Sequence, residues 1–269
     1  MKKYFEVIGF IVLAMFSFFY TSKTINVVKN ADEIMIKIKE DKDSKRTEPI
    51  DATINDDMII PGVSGIEVDV GASYDAMKKV GSYSPNMLIY KKVKPNISIS
   101  NVYNKYISKG NPSNKQVSII FKVDSNDDIG KILEIVNNND IKVNFFAADN
   151  LDNTILSLVS RGYNIGSVNN AIWVNTLVTK VANQKYSYCY LEEKNKEILD
   201  MCALSKSYTI MPNIIANNTP TLTIKKNLES GSIIAMEINK TSIKELEYII
   251  RYIKSKGFNI VNLENLLEE

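Results

Sequence analysis

The residues best placed to do chemistry stand at the ends of apolar runs. The stretch Val117-Ser-Ile-Ile-Phe-Lys-Val-Asp124 ends on a cation, an aliphatic residue and a carboxylate, and a polar run follows at 125–128. Read as a buried strand of a β/α domain, it puts Lys122, Val123 and Asp124 on the C-terminal strand edge, where such folds keep their reactive groups. Glu237 is a carboxylate set within the apolar run 233–238, so it is either exposed or paired with a cation. Lys122, Asp124, Glu237 and the single tryptophan, Trp173, are the candidate ligand-binding side chains.

Any chemistry these residues perform has to proceed without histidine, which the chain lacks. That removes the commonest metal ligand and the commonest general base at neutral pH. No metal and no cofactor is implied. With 33 basic and 31 acidic residues the net charge is +2, which gives no field to attract a polyanion, so nucleic acid is set aside as a partner. Cys189 and Cys202 are too few for a disulfide framework and lack metal spacing; they read as small buried thiols in preference to a bridge or a nucleophile.

The elements that must position these groups begin after an N-terminal address. Residues 1–24 carry Lys2 and Lys3 ahead of an apolar run over 4–20 in which Glu6 is the only charge. Bulky Phe18, Phe19 and Tyr20 favour a retained signal anchor over a cleaved signal peptide, and the leading lysines favour an inside N-terminus. The expectation is a single-pass membrane protein with everything after the anchor outside the cytoplasm. Residues 25–55 are charge-rich and read as a solvated linker, partly helical near the membrane. Residues 56–112 read as a small α+β module: a strand over 66–70, a helix over 74–80 stopped by Gly81, and a strand over 87–90. The turn signal Gly110-Asn-Pro112 marks the next boundary.

Residues 113–269 alternate strand-like and helical patterns. Strands are expected over 117–121, 143–147, 164–168, 186–190, 208–211, 232–238 and 259–263, and helices over 129–136, 151–159, 177–182, 195–204, 222–228 and 242–256. In the last helix Ile243, Leu246, Ile249, Ile250 and Ile253 share a face, Ser242 and Glu245 form a capping box, and Gly257 is the stop. Such β/α units most simply close into a barrel.

This part resembles the polysaccharide deacetylase (NodB-homology) family, carbohydrate esterases that remove acetyl groups from peptidoglycan, chitin and related glycans. The resemblance runs over about residues 115–267. It is carried by Val117-Ser-Ile-Ile-Phe121, Ile141-Lys-Val-Asn-Phe-Phe146, Arg161-Gly-Tyr-Asn-Ile-Gly166, Glu229-Ser-Gly-Ser-Ile-Ile-Ala-Met236 and Lys254-Ser-Lys-Gly-Phe-Asn-Ile-Val-Asn-Leu263. It implies a NodB-like α/β barrel, seven-stranded and irregular. The family's catalytic positions are degenerate here: its general base and first metal ligand fall on Lys122 and Val123, its two metal-binding histidines on Val168 and Ile172, and its acid histidine on Glu237. The Arg-Pro-Pro-Tyr segment that orients the base falls around residues 188–191.

A metal-bound water and a general acid supply most of what such hydrolysis needs, and a lone acid or base group gives only about 10²–10⁴-fold. Asp124, Asp127, Asp128 and Glu237 are the residues from which a replacement acidic site would have to be made, although a polar loop running into a helix N-terminus accounts for 124–128 better. Glu237 and Lys122 form a buried ion pair if their strands align, or stand exposed if they do not. The expected protein is a membrane-anchored pseudoenzyme binding a cell-wall glycan or an envelope protein. The alternatives are a deacetylase with an altered site, and a structural protein that binds through its middle module.

Overall fold

The computed structural model describes the backbone of residues 2–124, 128–148, 151–170, 172–181, 184 and 186–269; within these, the side chains of 2–7, 20–22, 24–26, 152, 172, 173 and 179–181 are not described. The chain starts with α1 (Lys2–Ala31), α2 (Glu33–Lys42), β1 (Thr53–Asn55), β2 (Met58–Ile60), β3 (Gly65–Val68), α3 (Val70–Val80), β4 (Tyr90–Val93) and β5 (Tyr106–Ile107). Then come β6 (Gln116–Val123), α4 (Ile129–Asn138), β7 (Asn144–Ala147), α5 (Asp152–Ser160), β8 (Asn164–Val168), α6 (Ile172–Val181) and β9 (Ser187–Tyr190). The last elements are α7 (Lys196–Leu204), β10 (Ser207–Ile210), β11 (Ile214–Ile215), α8 (Pro220–Asn227), β12 (Ile233–Glu237), α9 (Lys240–Ser255), β13 (Asn259–Ile260) and α10 (Leu263–Leu266).

Two compact units result, and their boundary is not at Gly110. Residues 1–49 and 64–93 form the first unit; residues 50–63 and 94–269 form the second. The expected 56–112 module is therefore divided, because β1, β2 and β5 are recruited as strands of the larger sheet. The expected linker at 25–55 is corrected as well. It continues α1 and then forms α2, whose Ile34 and Ile38 pack with Val68, Met77 and Leu88 in the first unit's core. Asp32 caps α2 by accepting from the Ile34 N–H at 3.0 Å and also meets Lys78 at 2.5 Å, so the apparent spacer charges serve tertiary contacts. The expected strand at 87–90 starts three residues later, at Tyr90, and pairs antiparallel with β3.

Among the described residues no helix is long and apolar enough to cross a membrane. Part of the expected anchor, including the side chains of residues 1–7 and 20–22, lies outside the described residues; the large side chains between them, such as Phe10, Phe16 and Phe18, are exposed.

In the second unit a strand forms at each of the seven places expected after residue 113, the last cut to Asn259–Ile260 because Leu263 opens α10, and β11 forms where no strand was expected. The sheet has eleven strands among the described residues, in the order β1-β2-β5-β10-β9-β8-β7-β6-β12-β11, with β13 beside the start of β6. From β5 through β11 all neighbouring pairs are parallel. The expected closed seven-stranded barrel is corrected to a curled half-barrel: β1 and β11 are separate ends of the strand path. The segments after β5 and before β11 and β12 meet across the curl, where Lys109 and Ser232 form an isolated bridge, the Gly110 N–H donates to the Gly231 carbonyl at 2.8 Å and the Asn213 N–H to the Ser108 carbonyl at 3.2 Å.

Both faces of the sheet are covered, which is why β6 is apolar on both sides at its centre, over Ile119-Ile-Phe121. Val117, Ile119, Phe121 and Val123 point into the helix-side core with Ile132, Val136, Leu246 and Ile250. Ile120 points the other way, with Phe146, Tyr188, Tyr190, Tyr208 and Ala235, into an inner core closed by Ile59, Ile107, Leu263 and Leu266. Helix α9 buries Leu246, Ile249, Ile250 and Ile253 to 1% exposure or less, each worth about 2 kcal/mol as an upper estimate. Its cap is Asn239, which accepts from the Ser242 N–H while the Ser242 hydroxyl accepts from the Asn239 N–H. Glu245 is drawn away from the expected box and accepts from the Thr221 N–H at the start of α8.

The reading of two free thiols is also corrected. Cys189 in β9 and Cys202 in α7 are joined as a disulfide with Cα atoms 6.4 Å apart. Both are fully buried; the strand–helix packing brings together two residues thirteen positions apart, a closeness that their linear spacing does not announce.

Candidate functional site

The C-terminal edges of β6, β8 and β9 and the turn into α7 surround an open cleft of about 350 Å³, lined by Lys122, Val168, Asn169, Tyr190, Glu192 and Lys194 among others. The pleat decides which side chains reach it. Lys122 follows Ile120 on the inner face, whereas Val123 turns outward and is packed in the helix-side core. Gly166, level with Phe146 on the next strand, has no side chain because the Phe146 ring occupies the place of its Cβ. That ring in turn packs against Tyr190, 5.5 Å between centroids. The chain leaves β8 through Asn169 and Asn170, both in the left-handed region (φ 51° and 56°), a conformation asparagine tolerates better than most residues.

The polar centre of the cleft is Glu192. Its Oε1 accepts from Lys122 Nζ at 3.0 Å and from the Tyr190 hydroxyl at 3.2 Å. Burial pushes the Tyr190 phenol well above its usual range and the neighbouring Glu192 charge adds to the rise, so Tyr190 is a protonated donor at neutral pH. Lys194 reaches Asp57 at 2.8 Å on the rim, and that contact holds the Asp57 carboxyl below its usual range.

The expected pair of Lys122 with Glu237 is corrected. The two residues are level on adjacent parallel strands, but Lys122 pairs with Glu192, and both of these side chains are about 40% exposed (40% and 39%). Glu237 is exposed and its backbone N–H donates to Asn217 Oδ1. Val168 lines the cleft. Asp124 is exposed at the end of β6 and does not line it. The side chains of Ile172 and Trp173, and residue Asp127, lie outside the described residues. Glu192 itself is absent from the sequence-derived candidates. The signal that would have found it is the polar run Glu192-Glu-Lys-Asn195 immediately after an apolar strand, the same signal that singles out Lys122.

A divalent metal does not fit this donor set. At the positions where the resemblance puts the base and ligands, Lys122 presents an ammonium group, Val123 is buried in the core and Val168 is aliphatic. Among the described residues no three histidine, cysteine, aspartate or glutamate side chains are grouped to hold a metal ion.

The curled parallel sheet with a degenerate site at its strand ends defines a polysaccharide deacetylase-like fold, the class to which the known structures point. The chain superposes on BA3943 from Bacillus anthracis, a family 4 carbohydrate esterase pseudoenzyme, with a TM-score of 0.66 and 20% identity, covering 88% of this chain and 96% of that one. It is also similar to PdaA of Bacillus subtilis, a family 4 carbohydrate esterase, at TM-score 0.50 and 14% identity over 81% of this chain and 97% of that one. In sequence it is 23% identical over 245 residues to the uncharacterized protein YlxY of Bacillus subtilis (strain 168), covering 78% of this chain and 75% of YlxY. No family model matches the chain.

Proposed function

We propose that the protein is a catalytically inactive deacetylase-like module, anchored in the cell membrane and working outside the cytoplasm by binding a cell-wall glycan. The observation that carries this reading is the exchange of chemistry at one place. Where a deacetylase needs a base and a metal, Lys122 and Glu192 neutralise each other at 3.0 Å across an open polar cleft. An ammonium group cannot ligate a metal, and the carboxylate beside it is engaged by Lys122 and Tyr190. A cleft of this kind retains shape and hydrogen-bonding groups, which suit a polyhydroxylated ligand, without the means to activate water.

Two features support the location. The apolar run over 4–20 is preceded by Lys2 and Lys3, the pattern of a signal anchor. The Cys189–Cys202 disulfide suits an oxidising compartment better than a reducing cytoplasm.

The test is made on the full chain in detergent. It is expected to sediment with purified peptidoglycan or with chitin, and to release no acetate from either with added Zn²⁺. Acetate release dependent on Zn²⁺ would replace this reading with that of a working esterase, and failure to bind either polymer would remove the glycan. Recovery of the native protein as a soluble chain beginning beyond Tyr20 would remove the anchor.

A further inference from the structure

The cleft is built largely from one short stretch of chain. Tyr190, Leu191, Glu192, Lys194, Asn195 and Ile198 all line it, and all lie between the two cysteines of the disulfide, which are thirteen positions apart. Other restraints on the tip of this stretch are weak. Residues 192–197 are exposed, and the side-chain ion pairs Lys122–Glu192, Lys194–Asp57 and Lys196–Asp200 face solvent, where such pairs hold a loop poorly. Firm contacts lie on its flanks, where the Leu191 N–H donates to the Ile210 carbonyl and Leu191 and Leu199 pack with Tyr106, and at Asn195, whose side chain caps α7 by accepting from the Ile198 N–H at 3.1 Å.

We propose that the Cys189–Cys202 disulfide is the positioning element of the cleft. By tying β9 to the last turn of α7 it fixes the stretch between them, and so sets where Glu192 meets Lys122. The consequence for ligand binding rests on the cleft being the binding site; the structural role does not. In forming the bond the two thiols lose two protons and two electrons, the sulfurs join, and the acceptor is the disulfide of a thiol–disulfide exchange partner, which leaves as the dithiol. Both sulfurs are fully buried in the folded protein, so the exchange takes place before β9 and α7 close over them.

The full chain is compared in two preparations, one oxidised, the other unfolded, reduced and refolded in reductant, by amide hydrogen exchange read by mass spectrometry. The oxidised protein should label with no thiol reagent in denaturant. In the reduced protein residues 190–198 should exchange about tenfold faster or more, with β6, β7 and β8 changed by less than about twofold. The variant C189A/C202A, which cannot re-oxidise, should repeat the reduced pattern. Free thiols in the oxidised protein, equal exchange over 190–198, or loss of the whole fold in both the reduced protein and the variant would overturn the proposal. Binding of the oxidised protein to peptidoglycan is measured alongside. Failure to bind, with the exchange pattern as expected, removes the glycan reading and leaves the role of the disulfide standing.

Discussion

Lys122 shows how one residue's surroundings decide its chemistry. Its neighbour across the strand pair is Glu237, yet its ammonium group lies 3.0 Å from Glu192 on the far side of the cleft. With both partners about 40% exposed (40% and 39%), solvent screens the pair and its net worth is about 0–1 kcal/mol. Lys122→Met and Glu192→Gln should each lower the unfolding free energy by no more than that in urea titrations, with a coupling below about 1 kcal/mol in the double-mutant cycle. Glu237→Gln should change it by less than about 0.5 kcal/mol, as at other exposed positions. A loss of about 3 kcal/mol on removing either partner would instead mark a buried pair and refute this geometry.

At the scale of elements, two single residues hold a helix start and a close backbone contact. Asn239 supplies both halves of the start of α9 together with Ser242, and Asn239→Ala should cost about 1 kcal/mol. Gly231 has φ +85° and stands against the Gly110 carbonyl, which would collide with a Cβ. This is where the segment after β5 meets the segment before β12. Gly231→Ala therefore combines backbone strain with displacement of a main-chain contact, and should cost about 2 kcal/mol or more. A chemical-denaturation difference under about 0.5 kcal/mol would show that the segments after β5 and before β12 are not fastened there.

The whole molecule carries a signature in alkali. Tyr188, Tyr190 and Tyr208 are each 3% exposed or less, and burial, the largest cause in each case, raises all three phenols far above the usual range. Tyr83, in the other unit, is pushed up to about 12 by its hydrogen bond to Asp41 and then by burial. A folded pKa above the unfolded one means that the unfolded chain releases protons more readily. The stability these groups contribute is present below the unfolded value near 10 and is lost as pH rises through the folded values. Absorbance at the tyrosinate band should lag behind exposed tyrosines up to the pH of unfolding and then rise together with loss of the tertiary signal. Ionisation of all tyrosines with a single midpoint near 10, the fold intact, would contradict the packed inner core.

Seven of the eight described strands after residue 113 were legible in the sequence as short apolar runs, and helices between them showed because one face alone is apolar; β11, only two residues long, was not. The loss of the family's base and metal ligands could be read residue by residue at Lys122, Val123 and Val168, since it concerns residue type and needs no geometry. The partner of Lys122 could not be read. Glu192 lies seventy positions away and reaches Lys122 only because β9 ends beside the same cleft as β6. The disulfide escaped for the same reason, as the approach of Cys189 to Cys202 depends on how α7 docks on β9. Nor did the 56–112 segment announce its division, because β1, β2 and β5 are two or three residues long and gain their hydrogen-bond partners from each other and from β10. Residue type and period fix what is local and what is missing; which distant residues meet, and whether the sheet closes, is decided by packing of surfaces that exist only once the chain has folded.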